Sequence, residues 1–227
     1  GLFASGIPIA ESVLRKALPT EFWQFIDRLK PVSMPSGKPR LWRPDLTPYR
    51  HDVILPAEAR PDALGLYLHQ GKTLLRLGDQ HYRLQKDNLS GRYSLLHPRR
   101  PQAYQPPVLT NAQGAWLTDL ERPLSWDTVT LMRRLGYQTD GLSDSQLQQA
   151  RIVSDTHDNA LRKMHVTQQT PPPLLADTLK RFKIDQDLQD FITQMNSDDP
   201  AIYKQADPQT QLQLLTSYGL WPSTKTL

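Results

Sequence analysis

"LGLYLHQGKTLLRLGDQHYRLQKDNLSGRYSLLH", residues 64–97, changes from apolar to polar at almost every second position and is broken by Gln70-Gly71, Gly78-Asp79 and Ser90-Gly91. A period of two is the pattern of strands with one buried face. A two-residue hairpin loop fixes each cross-strand pair, because a slip of one residue turns every side chain to the wrong side. With Gln70-Gly71 as the first loop, His69 faces Lys72, Leu68 faces Thr73, Tyr67 faces Leu74, Leu66 faces Leu75 and Leu64 faces Leu77. Gly78-Asp79, with glycine first, sets Arg76 against His81, Leu75 against Tyr82 and Thr73 against Leu84. Pairing across a longer connection, 86–91, places Leu84 opposite Tyr93 and Tyr82 opposite Leu95.

The three registers agree on two faces. One collects Leu64, Leu66, Leu68, Leu75, Leu77, Tyr82, Leu84, Tyr93 and Leu95. The other carries Lys72, Arg76, His81, Arg83 and Arg92 around Tyr67, Leu74 and Leu96. The expectation is a four-stranded antiparallel meander with one dry side and one wet, basic side.

Upstream, Pro8 opens a short helix with Ile9, Val13, Leu14 and Leu18 on one face. Thr20 is the expected N-cap of a second helix, whose apolar stripe is Phe22, Phe25, Ile26 and Leu29 and which Pro31 ends. Residues 31–62 hold so many prolines that they are expected to form an irregular arm. Downstream, "HPRRPQAYQPPV" reads as a second proline-rich crossover leading to "GAWL". The period then becomes helical. Ser125 is the expected cap of a helix ending near Gly136. Ser143 with Gln146 forms a capping box, and Leu142 with Leu147 a hydrophobic staple. A turn at 154–156 leads to "HDNALRKMH", and another helix starts after three prolines. "IDQDLQDFITQM" repeats the helical spacing at Leu188, Phe191, Ile192 and Met195, and Asp207-Pro208 with Gly219 bound a last helix. The predicted class is α+β: a four-stranded antiparallel β-meander, its leucine face packed on helices, flanked by N-terminal helices and a C-terminal helical bundle. Its segments are 1–60, helices and arm; 61–118, meander; and 119–227, helical subdomain.

The 227 residues suffice for one large or two small cores. None of their stretches approaches the ~20 apolar residues of a membrane-crossing helix. The opening "GLFASGIPIAESVL" has no initiator Met and no basic leader, so the chain is expected to be a piece of a longer protein. No cysteine is present, which excludes disulfides, thiolate metal sites and cysteine nucleophiles together. The net charge of +4 is uneven: residues 1–110 carry 16 basic against 9 acidic side chains, and the rest 11 against 14. A basic first part is suited to an anionic partner or to the acidic part of its own chain.

Chemistry-bearing motifs are sparse. The sequence has no glycine-rich phosphate loop, nucleophile elbow or H-E-x-x-H. The six histidines, His51, His69, His81, His97, His157 and His165, never fall three or four apart; His69 and His81 approach across the sheet, but ordinary strand surface is the expected reading. Asp144, Asp155, Asp158, Asp177 and Asp207 stand at caps and turns, where helix N-terminal charge accounts for them. Asp155, His157 and Asp158 are the nearest thing to a catalytic cluster, at a helix start. Residues 143–164 have the length of a helix-turn-helix, yet the leading end of the second helix offers Asp155 and Asp158 to phosphates, so an αα-hairpin in a helical core is preferred. Lys72, Arg76, His81, Arg83 and Arg92 with Tyr67 resemble the charge and stacking of single-strand platforms. Trp42, Tyr49 and Tyr104 lie in proline-rich stretches, where they could anchor on a partner, but docking on the protein's own sheet is the preferred reading because such arms otherwise stay disordered.

"GLYLHQGKTLLRLGDQHYRLQKDNLSGRYSLLHPRRPQAYQPPVLTNAQGAWL", "LMRRLGYQTDGLSDSQLQQARIVSDTHDNALRKMHV" and "PPPLLADTLKRFKI" together resemble an internal region of large bacterial dermonecrotic-toxin-like proteins. Several of those resemble effectors with leucine-rich repeats and a C-terminal NEL-type E3 ubiquitin ligase domain. The likeness runs from about Arg43 to Leu227. It implies a piece of a secreted, host-directed virulence factor, delivered as part of a larger bacterial protein. It does not carry over the ligase activity, which uses a cysteine nucleophile, and the L-x-x-L-x-L repeat is missing too. No catalytic residue, metal or cofactor is therefore assigned. The expected role is a non-catalytic structural or protein-interaction module, its partners other domains of the parent or a host or bacterial protein. The alternative is a binding module for single-stranded nucleic acid or lipid headgroups through the basic sheet face.

Overall fold

A computed structural model describes residues 16–206 together with Gln209, Gln213 and Thr216. Of the expected helix opened by Pro8 only Lys16, Ala17 and Leu18 fall among the described residues, the first two helical and Leu18 exposed; the cap at Asp207-Pro208 and the stop at Gly219 lie outside them. The chain is α+β and divides into two compact units, 1–122 and 123–227, so that arm and sheet share one unit.

The first described helix, α1 (Thr20–Asp27), starts at its expected cap, one residue earlier than the sequence suggests: Pro19 occupies the N-cap position, without a side-chain cap bond. Its buried residue is Trp23, whereas Phe22 and Phe25 of the expected stripe are exposed. The indole is the larger apolar body, and helical spacing alone does not rank the aromatics that compete for the inner side. The arm is less irregular than its prolines suggest. Strands β1 (Lys30–Ser33) and β2 (Pro39–Trp42) form an antiparallel hairpin, Lys30 opposite Trp42 and Ser33 opposite Pro39. Prolines are tolerated there because this sheet has only two strands, both of them edges. A 3-10 turn, Thr47–Tyr49, follows, its first N–H bonded to the Asp45 carboxylate at 2.9 Å.

The main sheet has six strands rather than four, in the order β3 (Leu66–His69), β4 (Lys72–Leu77), β5 (Gln80–Lys86), β6 (Tyr93–Leu96), β7 (Pro107–Thr110) and β8 (Trp116–Thr118), every pair antiparallel. The first two hairpins have the expected registers, Leu66 on Leu75 and Leu75 on Tyr82. The third is displaced by two residues: Leu84 pairs with Leu95 and Lys86 with Tyr93. The cause is a tighter loop, in which the Asp87 carboxylate accepts from the Leu89 N–H and the Ser90 hydroxyl while Gly91 N–H closes onto Asp87 O at 2.7 Å. A shift of two preserves which face each side chain takes.

The leucine ply is sealed by the arm and by the two unexpected strands, in place of helices. Leu66, Leu75, Tyr82, Leu84 and Leu95 are buried with Tyr49, Val108 and Trp116, and Trp42, Leu46, Leu64, Leu77 and Tyr93 pack around them. Trp116 Nε1–H donates to Leu64 O at 2.7 Å, tying the last strand to the residues just before the first, so the sheet curls over its own core. The Tyr49 hydroxyl donates to Tyr104 O, and Lys30 pairs with Asp119, which staples arm to sheet. Leu68 departs from its ply: on an edge strand beside the first loop, it is 80% exposed.

The second unit is helical. α2 (Thr128–Arg133) is capped by Asp127, whose Oδ1 accepts from Thr130 N–H at 2.8 Å, in place of the expected Ser125; Ser125 closes a preceding 3-10 turn instead. α3 (Asp144–Val153) has the capping box, with Gln146 N–H to Ser143 Oγ at 3.1 Å and Ser143 N–H to Gln146 Oε1 at 2.8 Å; Leu142 and Leu147 are both buried. α4 (Asp158–Thr167) and the long α5 (Pro173–Met195) complete one core of Leu131, Met132, Leu135, Leu142, Leu147, Ala150, Leu161, Met164, Leu175 and Leu179. α6 (Pro200–Tyr203) is a single turn capped by Asp199.

Candidate functional site

Strand parity builds the basic face in rows. Tyr67, Leu74, Arg83 and Leu96 form the middle row across β3 to β6. His69 and Lys72 form a row at one end, and Arg76 with His81 one at the other. A further residue joins the last row. Where β6 ends, Arg50 bridges to Tyr82 and His51 N–H donates to His81 O at 2.8 Å, which puts His51 on the basic side. No pattern in the linear sequence marks His51, because its neighbour in the sheet lies 30 positions away.

The face is only partly wet. Lys72, Arg76, His81 and Arg83 are half-buried, and beneath them Leu74 is fully buried and Tyr67 nearly so. Tyr67 meets His81 edge-on, ring centres 6.3 Å apart. The expected stacking platform is therefore corrected: Tyr67 has no free ring face on which a base could lie. Arg92 stands apart, exposed in the 87–92 loop, two rows beyond Arg83. The cluster proper is His51, His69, Lys72, Arg76, His81 and Arg83.

Its electrostatics follow from crowding of like charge. Burial, then Lys72 and Arg83, hold the His51 imidazole below its ordinary range, with His69 adding to them and Asp52 opposing. Burial, then Arg76 and His51, do the same to His81. Both rings are neutral at pH 7 and gain charge on acidification.

Several further titratable groups are tied to the chain. His97 Nδ1 accepts from the N–H groups of Arg99 and Arg100 at 3.1 and 3.0 Å, and its pKa is lowered by burial and by those arginines. His165 Nε2–H donates to Leu131 O at 2.8 Å. Asp158 accepts from the Thr128 hydroxyl at 2.7 Å and lies 3.6 Å from Arg151 Nε. Asp155 and His157 are 4.0 Å apart and fully in solvent. Among the described residues no three His, Cys, Asp or Glu side chains converge as metal ligands. His69 and His81 sit at opposite ends of the face, on either side of β4, with four residues of strand, roughly 13 Å, between their rows. Leu147 and Ala150 of α3 and Leu161 and Met164 of α4 lie in one helical core, α3 packed on α2 and α5 and α4 packed on α2. Trp42, Tyr49 and Tyr104 dock within their own unit, Trp42 lying 6.3 Å from Tyr49 and 4.8 Å from Tyr104.

Fold and site together define an α+β protein with a curled sheet unit that bears a cationic face, followed by a helical unit. The chain matches no family model, no curated protein and no solved structure. Among the described residues no helix is long and apolar enough to cross a membrane.

Proposed function

We propose that this chain is a non-catalytic interaction module of a large secreted bacterial toxin or effector, acting through a folded surface and not through bond chemistry. The observation that carries the reading is the structural employment of several of its acids and histidines. Asp45, Asp87, Asp127 and Asp199 accept backbone N–H groups, and His97 does likewise. His165 and Asp158 hold α4 against α2. A general acid or base needs a proton to exchange with substrate, whereas these groups are occupied in fixing turns and helix starts. The resemblance of residues 43–227 to internal regions of dermonecrotic-toxin-like proteins supports the placement in a secreted parent.

Peptide mapping of the producing bacterium tests it. Peptides of this chain are expected in the medium or in exposed host cells, within a polypeptide much larger than 26.0 kDa. Recovery solely as a free bacterial cytosolic protein of 26.0 kDa would contradict the placement.

A further inference from the structure

We infer that the face built by His51, His69, Lys72, Arg76, His81 and Arg83 docks on anionic lipid headgroups, and docks more strongly as the solution is acidified. The inference rests on the sheet alone and does not depend on the chain being part of a toxin.

Charge complementarity gives the first argument. Residues 1–122 carry 17 basic against 11 acidic side chains. Three fixed cations, Lys72, Arg76 and Arg83, occupy neighbouring rows of one sheet face, and three imidazoles lie among them. A surface of phosphates offers many anionic groups at once and needs no single deep pocket. The second argument decides between phosphate-bearing partners. Single-stranded nucleic acid is held by charge together with bases stacked on open aromatics, and the aromatic of this face, Tyr67, is buried. Close to the cluster in the chain, three residues after His51, Ile54 is 95% exposed. An exposed apolar side chain on the segment that carries His51 suits the headgroup boundary of a bilayer, where apolar contact and charge attraction act together.

The acid dependence comes from which groups face the two displaced histidines. His51 is met by Lys72 of β4, Arg83 of β5 and His69 of β3, with Asp52 from its own segment opposing them. His81 is met by Arg76 of β4, by His51 and by the Tyr67 ring edge. Burial first, and then these neighbours, resist protonation in the free protein. A layer of lipid phosphates and carboxylates reverses that field, so docking and proton uptake favour each other. Each charge gained beside an anionic surface is worth on the order of five-fold in affinity.

Sedimentation of the full chain with vesicles tests the inference. Phosphatidylcholine vesicles containing phosphatidylserine are expected to bind it roughly ten-fold more tightly at about pH 5.5 than at about pH 7.5, and pure phosphatidylcholine vesicles to bind it weakly at both. In His51→Gln with His81→Gln the ratio of binding at the two pH values is expected to fall toward one. Lys72→Glu with Arg83→Glu is expected to lower binding at both, and Ile54→Ser to weaken it without altering the pH ratio. Circular dichroism of each variant confirms the sheet. Equal binding at the two pH values, an unchanged increase in the double histidine variant, or tighter binding to a single-stranded oligonucleotide than to the vesicles would each overturn the inference.

Discussion

Tyr49 shows how one side chain carries a pH limit. Its phenol is buried among Trp42 and the sheet leucines, and burial first, then the nearby Tyr104, pushes its pKa up to about 12. In the unfolded chain a tyrosine ionises near pH 10. The contribution of this phenol to stability is therefore complete below about pH 10 and is lost as pH rises through about 12. Denaturant midpoints across that window are expected to fall for the native protein and to fall less for Tyr49→Phe. At the acid end His51, His81 and His97 all lie below their ordinary range, so the unfolded chain takes up protons first. Their contribution is present above about pH 6.5 and is lost as pH falls through the lowered values. A lower melting temperature near pH 5 than near pH 7, with a smaller drop in His81→Gln, is the expected outcome. Of the cationic side chains in the cluster, Lys72, Arg76 and Arg83 were legible from strand parity, and so was His81. His51 was not, because its place depends on a bridge formed after β6 has ended.

Single elements differ in how plainly the sequence announces them. The first two hairpins were legible because their loops need left-handed backbone that glycine supplies: Gln70 and Gly71 have φ of 49° and 73°, and Gly78 has 62°. Gly71→Ala, at a site with open space around it, is expected to cost about 1 kcal/mol by chemical denaturation, all of it from backbone strain. Strands β7 and β8 escaped notice for the opposite reason. One begins with Pro107 and sets Val108 next to Leu109 without alternation, and the other has only three residues. They are held by the turn between them, where Asn111 Oδ1 accepts the N–H groups of Gln113 and Ala115 at 2.9 and 3.1 Å. In α1 the spacing was right for a helix and wrong for its inner side, since Trp23 competed with Phe22 and Phe25. The start of α3 was legible because capping is local chemistry. Ser143→Ala is expected to destabilise the helical unit by about 1 kcal/mol in the same measurement.

At the scale of the whole chain the two hydrophobic cores have no residue in common, one lying under the curled sheet and one among α2 to α5. Leu75 and Leu147 are each fully buried, one in each core. Truncating either to alanine is expected to cost about 2 to 5 kcal/mol, and the losses in the double variant to add within about 0.5 kcal/mol. Strong coupling in that cycle would mean that the cores act as one. The charge imbalance between the two parts of the chain was legible from composition, and so was the switch from strand to helix periodicity. That Trp42 and Tyr49 of the arm dock on their own sheet was legible as an expectation; the place of Leu46 was not, because it sits in proline-rich chain with no period of its own.

Alternation along β5 is the physical basis of both the sealed leucine ply and the cationic face opposite it. The chain has no cysteine, so single cysteines report exposure without background. Thiol-labelling rates for Tyr82→Cys, Arg83→Cys, Leu84→Cys and Gln85→Cys are predicted to run slow, faster, slow and fastest, following burial at 82 and 84, half-burial at 83 and exposure at 85. Equal rates at all four positions, or protection at 83 and 85 with rapid labelling at 82 and 84, would contradict the account.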